Sequence, residues 1–181
     1  MDVNASLVYS RSMTEAPARL AADPIGVARD QWVDRGWADA APGMAAVTSI
    51  MRAQQIVSAR VDAVLKTFGV TFARYEVLML LTFSRRGSLP MKLIASRLQV
   101  HPTSVTNAVD RLVQAGLVTR TTHPDDRRAF IVALTPAGRA LAQKATRVLN
   151  EQVFGQPELA PDDLESLVEI IGRMRSAVGD F

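Results

Sequence analysis

Residues 101–128 read HPTSVTNAVDRLVQAGLVTRTTHPDDRR, and the spacing within this stretch decides the fold. Val105, Ala108, Val109, Leu112 and Val113 recur at three- and four-residue intervals, the period of one buried helical stripe. Thr103, Ser104, Thr106, Asn107 and Arg111 fall largely off it. Pro102 suits a first helical position, where a missing N–H costs nothing, and Gly116 suits a left-handed stop. A helix over about 102–115 follows, capped by His101 or a neighbour. Its outward groups are short enough to let the backbone approach a DNA major groove and can donate or accept at base edges, while the helix N-terminus favours a phosphate. Ser, Thr and Asn are also ordinary capping residues, so the neighbouring segments have to decide between the two roles.

Upstream, Pro90 to Leu98 (PMKLIASRL) has Met91, Leu93, Ile94, Ala95 and Leu98 as an apolar set behind an opening proline. Gln99, Val100 and His101 then form a connection of helix-turn-helix length. Downstream, 117–122 and 129–135 are both rich in β-branched or apolar residues, and His123-Pro124-Asp125-Asp126-Arg127-Arg128 separates them. That pattern predicts a β-hairpin with a basic tip. Gly87-Ser88-Leu89 can add a minimal third strand. Helix, turn, helix and hairpin is the order of a winged helix-turn-helix, whose tip reaches an adjacent minor groove.

The run resembles the DNA-binding core of the MarR family of bacterial transcription regulators. The matching residues are Ser104-Val105-Thr106 and Asp110-Arg111-Leu112, Gly116-Leu117-Val118, and Asp126-Arg127-Arg128 leading to Leu134-Thr135-Pro136-Ala137-Gly138. The wing signature and the LTxxG start of the following helix stand at the family's spacing, over roughly residues 44–178. The resemblance implies a cytoplasmic, ligand-responsive homodimer, most commonly a repressor, with Arg128 entering the minor groove, Asp126 orienting it, and Arg127 and His123 adding phosphate or edge contacts.

Composition agrees with a soluble binding protein. The chain has 181 residues, 48% of them hydrophobic, and no Cys, which excludes disulfides, thiolate metal sites and a cysteine redox switch. No apolar run approaches the ~20 residues of a membrane span, and no secretion signal is expected. Residues 85–128 hold eight Lys or Arg against three Asp, whereas 148–181 hold two Arg against seven acids. Positive charge is thus concentrated on the expected reader, as a polyanion-binding surface requires.

The rest of the chain supplies helices. Residues 1–22 show no sustained period and predict a flexible arm. Asp23 and Pro24 open a helix over about 24–40, with Pro42-Gly43 as a break. Met44 to Phe68 carries two apolar rows, Met44, Val47, Met51, Val61, Leu65 and Phe68 beside Ile50, Val57 and Val64, more than a small reader can cover. Thr71 caps a helix to about Arg85 whose Val77, Leu78, Leu80, Leu81 and Phe83 place it in the core. Thr135-Pro136 opens a helix to roughly 153 with Leu141, Ala145, Val148, Leu149 and Phe154 as its stripe. Pro161 opens the last helix, striped by Leu164, Leu167, Val168, Ile171, Met174 and Val178, with Asp162 and Asp163 favourable at its positive end. The expected fold class is mainly α with a small β-hairpin wing, a winged helix-turn-helix with a helical dimerisation region. The expected organisation is an arm (1–22), N-terminal helices including a dimerisation helix (23–70), the reader (71–135) and C-terminal dimerisation helices (136–181).

A two-fold dimer would present its recognition helices roughly 34–36 Å apart and demand a pseudo-palindromic operator in double-stranded DNA. Ser104, Thr106 and Asn107 are then the base-edge candidates beside Thr103, and Arg111 meets phosphate or braces the wing. The added helix with Trp32 and Trp37 resembles the urate-responsive branch of the family, which implies Trp32, Asp62 and Arg97 as ligand-binding candidates for a small aromatic or anionic effector. A Trp on an amphipathic helix is also ordinary core. His101 and His123, the two histidines, lack the spacing of a metal site. No nucleophile motif or phosphate-cradling loop occurs, so no cofactor, metal or enzymatic activity is expected. The rival reading is a winged-helix interaction module whose Arg127 and Arg128 grip an acidic protein without reading DNA.

Overall fold

The computed structural model describes residues 20–124 and 126–181; the expected arm, apart from its last residues, lies outside them. The chain divides into two units, one through Ile56 and one from Val57. In the first, α1 (Pro24–Asp34) starts where the Asp23 carboxylate accepts the N–H groups of Ile25 and Gly26, each at 3.1 Å, satisfying donors that have no helical partner. Trp32 and Trp37 pack edge to face, with centroids 5.1 Å apart.

This helix ends at Asp34 and not near 40, because the chain turns at Gly36 with φ +84°. The expected break at Pro42-Gly43 is also corrected: both lie in the first turn of α2 (Ala41–Lys66). A proline there forfeits no hydrogen bond. Helix α2 holds residues of both units. Its last turns bury Val61, Val64 and Leu65, whereas Val47, Ile50, Met51 and Val57 are exposed.

In the second unit α3 (Phe72–Phe83) buries Tyr75, Val77, Leu78 and Leu81. It stops short of Arg85, and Phe83 faces out at 76% exposure, contrary to expectation. Thr71 holds the cap position without a side-chain hydrogen bond. β1 (Ser88–Pro90), α4 (Met91–Leu98), α5 (Pro102–Gln114), β2 (Val118–His123) and β3 (Asp126–Leu134) follow. The three strands form an antiparallel sheet in the order β1-β3-β2, so the minimal third strand is present. α5 buries Val105, Ala108, Val109 and Leu112; Val113, at the edge of the stripe, is exposed. These side chains meet Leu65, Leu78, Leu81, Ile94, Val132 and Leu149 in one core, each fully buried one contributing about 1.5–3 kcal/mol.

α6 (Pro136–Leu149) runs into a π-helical turn, Asn150–Phe154. The wider turn shifts the phase of the stripe, so Val153 is buried and Phe154, expected inside, is exposed. Arg60 secures this end by donating to the carbonyls of Gln152 (3.2 Å) and Gln156 (3.0 Å). α7 (Pro161–Ala177) buries none of its residues.

Candidate nucleic-acid interface

The start of α5 is held by His101, whose Nδ1 accepts the Thr103 N–H at 3.3 Å. With one face sunk in the core, Thr103, Ser104, Asn107 and Arg111 are left exposed. Thr106 is half-buried, and its hydroxyl donates to the Pro102 carbonyl at 3.0 Å, so only its acceptor capacity remains for a base edge. The Arg111 guanidinium donates to Gln114 Oε1 at 3.2 Å within its own helix.

The brace between helix and wing comes from elsewhere. Arg120 on β2 meets Asp110 on α5 at 2.6 Å and lies 5.2 Å from the centre of the Phe130 ring on β3. The sequence offered Arg111 for phosphate contact or for bracing the wing; the brace is made by Arg120 and Asp110. Nothing in the strand or the helix alone pairs these two; Arg120 opposes Val132 and reaches Phe130 diagonally, two residues along β3.

The wing is the expected β-hairpin, with a tip shorter than the six residues 123–128. β2 and β3 extend to His123 and Asp126, with Pro124 in the turn that follows β2. Pairing then jumps: Thr122 opposes Phe130, but His123 opposes Asp126. Residues 127–129 therefore have no position opposite them, an insertion of the kind that re-aims side chains. Asp126 Oδ1 accepts the Arg128 N–H at 2.9 Å, so the carboxylate shapes the backbone that carries the exposed Arg128. His123 is half-buried. Asp125 and the Arg127 side chain lie outside the described residues.

The Thr135-to-Gly138 motif joins the reader to α6. The Thr135 hydroxyl lies 2.9 Å from the carbonyls of both Gly116 and Leu117 and accepts the Gly138 N–H at 3.0 Å. A Cβ on Gly138 would overlap the Leu117 carbonyl. Glycine is needed here for close backbone approach.

The ligand candidates fall in both units. Trp32 is half-buried in the first unit; Asp62 and Arg97 are exposed in the second. The second unit instead has an open cleft of about 310 Å³ between α3 and α6, lined by Met79, Thr82, Gln143, Thr146, Arg147 and Asn150. Sequence reasoning missed it, because polar residues spaced along two separate helices carry no local mark of a shared hollow. The hydroxyl of Thr146, one of its lining residues, lies 2.9 Å from the Tyr75 hydroxyl. Elsewhere on α3, burial raises the pKa of Glu76 above its ordinary 4.5. Among the described residues no group of three or more His, Cys, Asp or Glu could hold a metal, and no helix is long and apolar enough to cross a membrane.

Comparison with known proteins agrees with this geometry. Residues 71–130 match the MarR family model. The HTH-type transcriptional regulator YhbI of Bacillus subtilis is 36% identical over 84 residues, 46% of this chain and 53% of that protein. The chain spans about half the length of the first curated relatives it matches. Among solved structures, Sco3205 of Streptomyces coelicolor, a MarR family transcriptional regulator in complex with DNA, is 25% identical with a TM-score of 0.65, covering 74% of this chain and 86% of that one. Sco5413, a MarR family transcriptional regulator of the same organism, is 49% identical with a TM-score of 0.71, covering 77% of this chain and 97% of that one. A winged reader of this geometry, with half-identity over nearly the whole of a solved relative, means that the chain belongs to the MarR family.

Proposed function

We propose that the protein is a cytoplasmic, sequence-specific double-stranded DNA-binding regulator, a repressor released by a small aromatic or anionic ligand, working by binding and not by catalysis. The observation that carries this is the division of α5: one side is locked into the core, and Thr103, Ser104, Asn107 and Arg111 are exposed on the other, while the wing exposes Arg128 at its bulge. The helix meets base edges in the major groove while Arg128, with Arg127 and His123 near it, addresses phosphates and the minor groove. Two copies make a reader for a pseudo-palindromic site. Bound across a promoter, such a dimer excludes polymerase.

A gel shift on the DNA upstream of its own gene tests the proposal. Specific retardation that survives competitor DNA is expected, and Arg128→Ala should weaken it roughly 10- to 100-fold and lower the salt slope by about one counterion. Retention of an acidic protein with no preference for any DNA would favour the interaction-module reading instead.

For the effector, resemblance assigns Trp32, Asp62 and Arg97. The cleft between α3 and α6 offers Arg147 for an anion, the Gln143 and Asn150 amides, and Met79 for an aromatic ring. Titration with urate or salicylate should quench tryptophan fluorescence if Trp32 takes part. Arg147→Ala should abolish release from DNA while leaving operator affinity intact if the cleft is the site.

A further inference from the structure

The turn between α4 and α5 is made by an unusual residue. Gln99 has φ +53° and ψ +35°, one of two non-glycine residues with positive φ among those described. Glycine adopts this left-handed conformation freely, whereas a residue with a Cβ is strained in it. Persistent strain points to a side chain held by its surroundings.

The Gln99 side chain is held at both ends by the far end of the chain. Its Nε2 donates to the Asp180 carbonyl at 2.7 Å, and its Oε1 accepts from Arg175 Nη2 at 3.1 Å. Arg175 Nε in turn donates to Asp180 Oδ2 at 2.6 Å, and its guanidinium lies 5.1 Å from the centre of the Phe181 ring. The ring of bonds is closed, and only a primary amide fits it. Glutamate could not donate to the carbonyl, and lysine could not accept from the guanidinium. The amide orientation follows as well, since the reverse would set donor against donor and acceptor against acceptor.

We propose that Gln99, Arg175 and Asp180 are positioning residues that tie the helix-turn-helix turn to the end of α7, so that α7 sets how α5 is presented to DNA. The proposal rests on the reading of the chain as a dimeric DNA reader. α7 exposes much of its apolar stripe, with Val168 at 72% and Met174 at 47%, and in that reading a second copy covers it. The tie then links the pairing of two chains to the turn that leads into each recognition helix. Arg175 and Asp180 are partly exposed, so each bond alone contributes little; the closed set gives direction rather than bulk stability.

The test compares Gln99→Gly, Arg175→Ala and the double variant. Gln99→Gly removes backbone strain along with the tie, so its melting temperature and dimer state should match or exceed wild type. Its operator affinity should nevertheless fall roughly fivefold, and the double variant should fall no further than either single one, the mark of residues acting as one unit. Gln99→Glu, which keeps the bond from Arg175, should recover part of the loss. Hydrogen exchange of the amides of Val100, His101, Thr103 and Ser104 in the free protein should quicken in Arg175→Ala. Unchanged exchange overturns the tie whether or not any operator is found. Wild-type operator affinity in Gln99→Gly, or losses that multiply in the double variant, overturn its positioning role. Failure of the wild-type protein to prefer any DNA would count against the proposed function alone, with the exchange result still deciding the tie.

Discussion

Helices α5 and α7 are built from the same kind of sequence, each opening on a proline and each carrying an apolar stripe, yet α5 buries four residues and α7 buries none. The period of a stripe says that a face seeks cover; it does not say where the cover comes from. For α5 it comes from α3, α4 and the sheet of the same chain. For α7 it has to come from outside that core, and a contiguous exposed apolar face on a soluble protein marks an interaction surface. The reader is thus complete in one chain, while the helices expected to pair it with a second copy remain open.

The sharpest way to break the contrast is to damage the complete side. Gly138→Ala forces a Cβ against the Leu117 carbonyl and should cost roughly 3 kcal/mol, since neither backbone can give way easily. Urea melts would show it, and an unchanged midpoint would mean that this junction does not hold the reader. The open side responds differently. Leu167→Asp with Met174→Asp places charges on the exposed stripe of α7 and should raise the dimer dissociation constant on the order of 100-fold. Sedimentation would follow the dissociation, and the reader core should melt as before.

A smaller effect sharpens the contrast within the reader. Asp110→Ala removes the Arg120 brace, a pair more than a third exposed, so stability should change by about 1 kcal/mol or less. Operator affinity, measured by anisotropy, should still fall several-fold because the wing loses its alignment with α5. Glu76 gives the smallest effect. Burial raises its carboxyl pKa in the folded state above the ordinary 4.5, so the native protein takes up the proton first as pH falls. Stability from this group is therefore gained on descending through the raised value toward the ordinary one, and the ionised form is unfavourable at neutral pH. Glu76→Gln should raise the melting temperature by about 1–2 °C at pH 7 and lose that advantage below the ordinary carboxylate range.

Much of the reader was legible because its signals are local. The α5 stripe, the left-handed Gly116 at φ +69° and the Thr135 cap each depend on residues a few positions apart. The outward placement of Ser104 and Asn107 was legible because position along one helix sufficed. The Arg120 to Asp110 brace joins a strand to a helix, and nothing in either segment alone pairs them. The same holds for the bulge at 127–129, since a shorter tip and a six-residue one share one composition. Pro42 misled because proline reads as a break except in the first turn, and only the course of the backbone shows which case applies. After Leu149 the π-helical turn moved the stripe out of the phase that counting by 3.6 predicts.

The amino-acid order by itself determined the helices, the hairpin, the basic reader and the face that α5 turns outward, because periodicity, caps and charge act over one or two turns of chain. Only the tertiary structure decided which arginine braces the wing, where the cleft lies, and that Gln99 is tied to Asp180 from 81 positions away. Those contacts depend on how the core brings distant backbones together, and a side chain's local neighbours carry no record of that.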